Sequence, residues 1–124
     1  MGNIFPAPIV TAQVTLLSAQ AVTGSAIGAV TCSGGASILL QVSGTFTGAT
    51  VQFFGTVDGT NFFALPCVNL SSGTVQTSTT STGQWLISYA GVLAQIKCNV
   101  SAISTGSVNA LAFVSSATSI SPWG

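Results

Sequence analysis

An Asp-Gly pair set between two runs of β-branched and aromatic residues constrains this chain more than any other feature. Asp58-Gly59 stands between Val51–Val57 and Asn61–Leu70. Asp-Gly between such runs is a strong short-range signal for a β-hairpin. Gly59 supplies the positive φ that a tight turn needs, at no steric cost. The surrounding stretch, Ser37–Leu70, reads SILLQVSGTFTGATVQFFGTVDGTNFFALPCVNL. It holds three apolar runs separated by Gly-Thr and Asp-Gly signals, and the rest of the chain reads as strands added around it.

The hairpin is predicted to pair Thr50–Val57 with Asn61–Val68. Period-two alternation turns Phe53 to the core with Val51 and Gly55, and Phe54 to the opposite face with Gln52. Phe62 and Phe63 likewise point to opposite sides. Upstream, Ile9–Leu17 reads as a strand with Val10, Ala12, Val14 and Leu16 on one face. Ser18–Ser25 reads as a loop. Ala26–Ser33 reads as a short strand carrying Ile27, Val30 and Cys32, and Gly34-Gly35 as a turn. Ser37–Phe46 follows, with Ile38, Leu40 and Val42 on one face. Downstream, a short edge strand is expected at Thr74–Thr79, then Gln84–Tyr89 with Trp85, Ile87 and Tyr89 together. Ala94–Ile103 alternates clearly, with Ile96, Cys98 and Val100 one way. A turn over Ser104–Ser107 leads to the last strand, Val108–Ser115.

No stretch carries a helical stripe with caps. Strands recur roughly every ten residues, the rhythm of a sandwich or barrel. The expectation is an all-β antiparallel sandwich, jelly-roll or immunoglobulin-like, of about seven or eight strands. Residues 1–8 are expected to form an extended arm, 9–118 one domain and 119–124 a tail.

Charge enters because it decides what such a sandwich can do. Only 2% of the 124 residues are charged, Asp58 and Lys97, and there is no His. An ordinary domain is about a quarter charged. A neutral surface does not repel a second copy, so much of it is expected to be buried in an assembly. One Lys cannot neutralise a run of phosphates, which excludes nucleic acid as a partner. The apolar runs fall well short of the ~20 residues that a membrane span needs. The N-terminus lacks a basic segment and a continuous apolar one, so no secretory signal is read.

Catalysis has little to work with. General acid–base chemistry needs groups that titrate near neutrality, and the single carboxylate sits in a predicted turn. A Ser or Cys nucleophile needs a base in reach, and only Lys97 is available. Cys32, Cys67 and Cys98 lack metal-ligand spacing and read as small buried hydrophobes rather than as a disulfide plus a spare thiol. No catalytic residue, metal site or cofactor is expected. Asn69-Leu70-Ser71 and Asn99-Val100-Ser101 fit the glycosylation triplet, but chance matches are expected in a Ser-rich chain. Asp58 alone is a poor cation site, and holding its turn is the expected role. Trp85, Tyr89 and Trp123 are candidates for stacking on a sugar, against the commoner role of core aromatics.

Two segments carry a family resemblance: SGTFTGATVQFFGTVDGTNFFALPCVNLSSG, and TGQWLISYAGVLAQIKCNVSAISTGSVNALAFVSS. Together they resemble a small β-sandwich module of tailed-bacteriophage structural proteins. The corresponding positions are Ser43–Phe46, Thr56–Phe63 with Leu65, Gly83–Trp85, Gly91-Val92 and Gln95–Val100, within roughly Ser37–Ser116. The chain departs from that pattern in having Gln95 and Lys97 where Arg is usual, and in lacking a charged surface. The resemblance implies a non-enzymatic virion protein made in the host cytoplasm. The first expectation is a multi-copy capsid decoration or cement protein. The alternatives are a neck, tail or fibre subunit, or a sugar-binding module on a fibre. Its partners would be further copies of itself and other virion proteins such as the major capsid protein. Ile4, Phe5, Pro6, Pro8, Phe54 and Trp123 are the expected assembly contacts.

The arm yields a test. Pro6 and Pro8 cannot donate to a sheet, yet Ile4 and Phe5 are large and apolar. Burying each contributes roughly 1.5–3 kcal/mol, while ordering the arm costs about 1–2 kcal/mol per residue. The terms nearly balance on a lone subunit. Deleting residues 2–8 should therefore leave the melting temperature nearly unchanged and weaken incorporation into an assembly. Loss of the folded transition on deletion would assign the arm to the subunit's own core.

Overall fold

The computed structural model describes residues 11–31, 37–87 and 92–115. They form two antiparallel sheets packed face to face. In chain order the strands are β1 (Thr11–Gln20), β2 (Val30–Thr31), β3 (Ser37–Thr47), β4 (Thr50–Thr56), β5 (Phe63–Ala64) and β6 (Cys67–Asn69). They continue with β7 (Val75–Gln76), β8 (Ser78–Thr79), β9 (Gly83–Ile87), β10 (Gln95–Ala102) and β11 (Thr105–Ser115). One sheet runs β1-β11-β3-β9-β6-β7. The other runs β2-β10-β4-β5, with β8 also pairing β4. The β-sandwich read from the sequence is the fold. Seven strands have three or more residues, and β2, β5, β7 and β8 add two-residue pieces.

A long two-stranded ribbon runs through both sheets. In the first, β3 pairs β11 from Thr47↔Thr105 to Ser37↔Ser115. In the second, β4 pairs β10 from Thr50↔Ala102 to Thr56↔Gln95. Both strands of the ribbon fold over at the same place, at Gly48-Ala49 and at Ile103-Ser104. The Ser104 N–H donates to the Thr47 carbonyl at 3.0 Å, which holds the two corners together. The corners approach so closely that a Cβ on Gly48 would meet the Ser104 hydroxyl.

Alternation along these strands fills the space between the sheets. Ile38, Leu40 and Val42 of β3 are buried, as are Val51 and Phe53 of β4 and Ile96, Cys98 and Val100 of β10. Trp85 is fully buried and meets Phe53 across the sandwich, ring centroids 5.3 Å apart and tilted by 55°. Its indole N–H donates to Gln76 Oε1 at 2.8 Å, which satisfies the polar edge of a ring that is otherwise core. Gly55 leaves room at the sheet's inner face, and Leu65 and Leu93 fill it. Among the described residues, no buried side-chain nitrogen or oxygen lacks a partner.

Several local expectations are corrected. The predicted hairpin forms, with Phe54↔Ala64 and Gly55↔Phe63, but its second strand is only β5. Pro66 lacks a donor, and after it the chain joins the other sheet as β6. The Thr74–Thr79 edge strand divides in the same way: β7 pairs β6 in one sheet and β8 pairs β4 in the other. Ser18–Ser25 is not all loop, since β1 continues to Gln20. Register shifts at Leu16 and again before Gln20 bury both Leu16 and Leu17, because a bulge places successive side chains on one face. Ala12 is exposed and Val14 half-buried at the open edge of the sheet. Among the described residues of Ala26–Ser33, Val30-Thr31 is strand, and Ile27 is exposed. The expected Ser104–Ser107 turn is shorter, because β11 starts at Thr105. Val10, Cys32, Gly34-Gly35 and Tyr89 lie outside the described residues, as do the arm and the tail.

Gly106 and Gly59 separate two demands on glycine. Both have positive φ, +87° and +81°. A Cβ on Gly106 would overlap the Thr45 carbonyl oxygen, whereas nothing lies within 4 Å of one on Gly59. Gly59→Ala should cost about 1–2 kcal/mol, the left-handed penalty alone. Gly106→Ala adds a backbone collision and should cost at least about 3 kcal/mol. Denaturant melts of the two variants check the order, and equal losses would refute the packing explanation.

Candidate interaction surface

The described residues bring together no group of three His, Cys, Asp or Glu side chains. Three places matter: the Asp58 loop, the outer face of the β4–β10 sheet, and the outer face of the β3–β11 sheet.

Asp58 organises the loop from β4 to β5. Its Oδ1 accepts from the Asn61 N–H at 2.7 Å, the Thr60 N–H at 2.8 Å and the Thr56 hydroxyl at 2.9 Å. Its Oδ2 accepts from Asn61 Nδ2 at 2.7 Å. Thr56 in turn accepts from the Gly59 N–H. These bonds, first the Asn61 and Thr60 backbone donors and then the Asn61 and Thr56 side chains, hold the carboxyl well below the usual carboxylate range. Asp58 and Gly59 lie in this connection, which runs from Val57 to Phe62 and is longer than the expected one between Val57 and Asn61.

Lys97 lies on the outer face of β10, directly opposite Phe54 of β4. Its Nζ sits 4.4 Å from the centre of the Phe62 ring and 5.6 Å from that of Phe54. Cation–π attraction lets the ammonium rest on rings beside a carboxylate-poor surface. Phe54, one of the expected assembly contacts, is half-buried beneath this cation. Next to it, Asn99 Nδ2 donates to Gln52 Oε1 at 3.1 Å.

The outer face of the larger sheet carries an apolar row that crosses five strands. Register places Phe113 opposite Leu39, Leu39 opposite Leu86, Leu86 opposite Val68, and Val68 opposite Val75. Directly paired residues share a face. Phe113, Leu86 and Val75 are 39%, 43% and 65% exposed, and Leu39 and Val68 are half-buried between them. Gln13 caps the row on β1. A polar pair flanks it, Gln84 Nε2 donating to Gln41 Oε1 at 3.2 Å. Sequence reading did not single out this row. Its signal is the unbroken apolar runs Ile38-Leu39-Leu40 and Trp85-Leu86-Ile87, which mark strands apolar on both faces.

Other candidates fall elsewhere. Trp85 is core and cannot stack on a sugar. Asn69 Oδ1 caps its own turn by accepting from the Ser71 and Ser72 N–H groups, and its Nδ2 donates to Gln76. Cys67 and Cys98 are free, buried thiols. Burial pushes Cys67 up to about 12 and raises Cys98 too, with the neighbouring Cys67 adding to it. Both are small hydrophobes of the core, as expected. Ile4, Phe5, Pro6, Pro8 and Trp123 lie outside the described residues.

No protein family matches this sequence, and no curated protein matches it. Two solved structures share the fold. The SPBc2 prophage-derived protein YomS superposes with a TM-score of 0.76 at 16% identity, over 91% of this chain and 99% of its own. The PBSX exported protein XepA superposes with a TM-score of 0.83 at 18% identity, over 92% of this chain. This chain spans 40% of XepA's length.

Asp58 makes acid stability unusually easy to read, since it is the only side-chain carboxyl. Its folded pKa is depressed, so its contribution is present above the unfolded value of about 3.9 and lost as pH falls through the folded one. The wild-type melting temperature should drop on acidification below about pH 4. Asp58→Asn should melt lower at neutral pH and lose most of this slope. A parallel acid slope in the variant would show that the loop does not govern it.

Proposed function

We propose that this chain is a non-enzymatic structural protein of bacteriophage origin, carried in many copies on the particle, with capsid decoration as its first role. The observation that supports this most is the fold shared over 91% of this chain with a prophage-derived protein, 99% of whose length is covered. The neutral surface supports the multi-copy part. A sandwich with two charged side chains, one spent on its own loop and one resting on its own rings, meets neighbours with little charge to desolvate. The case against catalysis is the inventory: no His, and one carboxylate already saturated by four hydrogen bonds. The partners of this reading are further copies of the chain and the major capsid protein. A second reading is a phage-encoded exported protein, which the description of XepA favours.

Quantitative mass spectrometry of purified particles and of the culture medium separates the two. The decoration reading expects the chain in the particle at a fixed ratio to the major capsid protein. Absence from particles with accumulation in the medium would replace it with the second reading.

A further inference from the structure

We propose that Asp58 is a site of spontaneous covalent modification, isomerisation to isoaspartate, and that the loop around it holds the reaction off while the chain is folded. Asp58-Gly59 is the one place in the sequence where Asp or Asn precedes Gly. A glycine carries no side chain to shield its nitrogen, so such a pair closes most readily to a five-membered imide. In that step the Gly59 nitrogen gives up its proton to solvent and bonds to Asp58 Cγ. The bond from Cγ to one carboxyl oxygen breaks, and that oxygen leaves as water. Water then opens the imide at the former main-chain carbonyl. The main chain now runs through Asp58 Cβ and Cγ, one atom longer, and the free carboxylate sits on Cα. The water lost is regained, and nothing is oxidised or reduced.

The folded loop opposes each requirement of that closure. The Gly59 nitrogen must lose its proton and face Asp58 Cγ along the line of attack. Instead its N–H donates to Thr56 Oγ1 at 3.1 Å. The Thr56 hydroxyl donates in turn to Asp58 Oδ1 at 2.9 Å, so it bridges the two groups that must react. Thr56 is fully buried at the end of β4, where close packing limits its rotation. Closure also needs the neutral carboxyl, because a carboxylate has no good leaving group. The Asn61 and Thr60 N–H groups, the Asn61 amide and the Thr56 hydroxyl all donate to the carboxylate, which favours its ionised form. The reaction therefore proceeds through a local opening that breaks these bonds. Isoaspartate cannot restore them, since its carboxylate has moved from Cβ to Cα. The modification records time spent with the loop open.

Ageing the full-length chain at neutral pH, folded and in guanidinium, tests this. Chymotrypsin releases the stretch Gly55–Phe62, in which electron-transfer mass spectrometry counts isoaspartate. The folded wild type should accumulate it at least ~10-fold more slowly than the unfolded wild type. Thr56→Val keeps the side chain's shape and removes both hydroxyl bonds. It should isomerise faster than the wild type when folded, and at the wild-type rate when unfolded. Asn61→Ala, at an exposed position, makes the same comparison if Thr56→Val lacks the wild-type near-ultraviolet dichroism. Equal rates in the folded and unfolded wild type overturn the proposal, as does an unfolded chain that forms no isoaspartate at position 58. So do folded variants that isomerise no faster than the folded wild type.

Discussion

The ribbon of β3–β4 against β10–β11 is the constraint on which the sandwich depends. It supplies the central pairs of both sheets, and its fold at Gly48 and Ser104 sets how one sheet lies over the other. Everything else attaches to its edges. β1 adds to β11, β9 to β3, and the short strands β5 and β8 share the outer edge of β4. The two corners meet through one backbone hydrogen bond and a close approach of Gly48 to the Ser104 side chain. Pairing that continues through a corner leaves few backbone groups to be satisfied elsewhere.

Near-absence of charge shapes the interior as much as the surface. Buried polar groups are held by amides and hydroxyls. Gln20 donates to the Val22 carbonyl and accepts from the Ala26 N–H, and Thr79 donates to the Ser81 carbonyl. Gln76 Oε1 takes both the Trp85 indole and the Asn69 amide. The two charges are used locally, Asp58 to fix a loop and Lys97 to cover two rings. That leaves the β3–β11 sheet with an outer face that water covers poorly and that a neighbour can cover without desolvating an ion.

Burial alternates through Ser37–Val42, Thr50–Gly55 and Gln95–Val100, so the core residues there were readable one by one. The Asp58-Gly59 loop was readable because its donors are sequence neighbours. The apolar row was not. Leu39, Leu86, Val68 and Phe113 each look ordinary in their own strand, and only register lines them up. Pairs such as Leu39↔Leu86 join residues far apart in sequence, and no local rule fixes which strand comes to lie beside which.

Sequence by itself determined the all-β class, the sandwich, the inward faces of the long strands and the loop that Asp58 holds. All of these follow from period-two patterning and short-range hydrogen bonding, which a chain carries within a few residues. Tertiary structure alone decided the strand order, the passage of the chain from sheet to sheet at Pro66 and between β7 and β8, the bulge that buries Leu16 with Leu17, and the exposed row. Those depend on pairing energies between distant segments, where a shift of one residue turns every side chain to the other face.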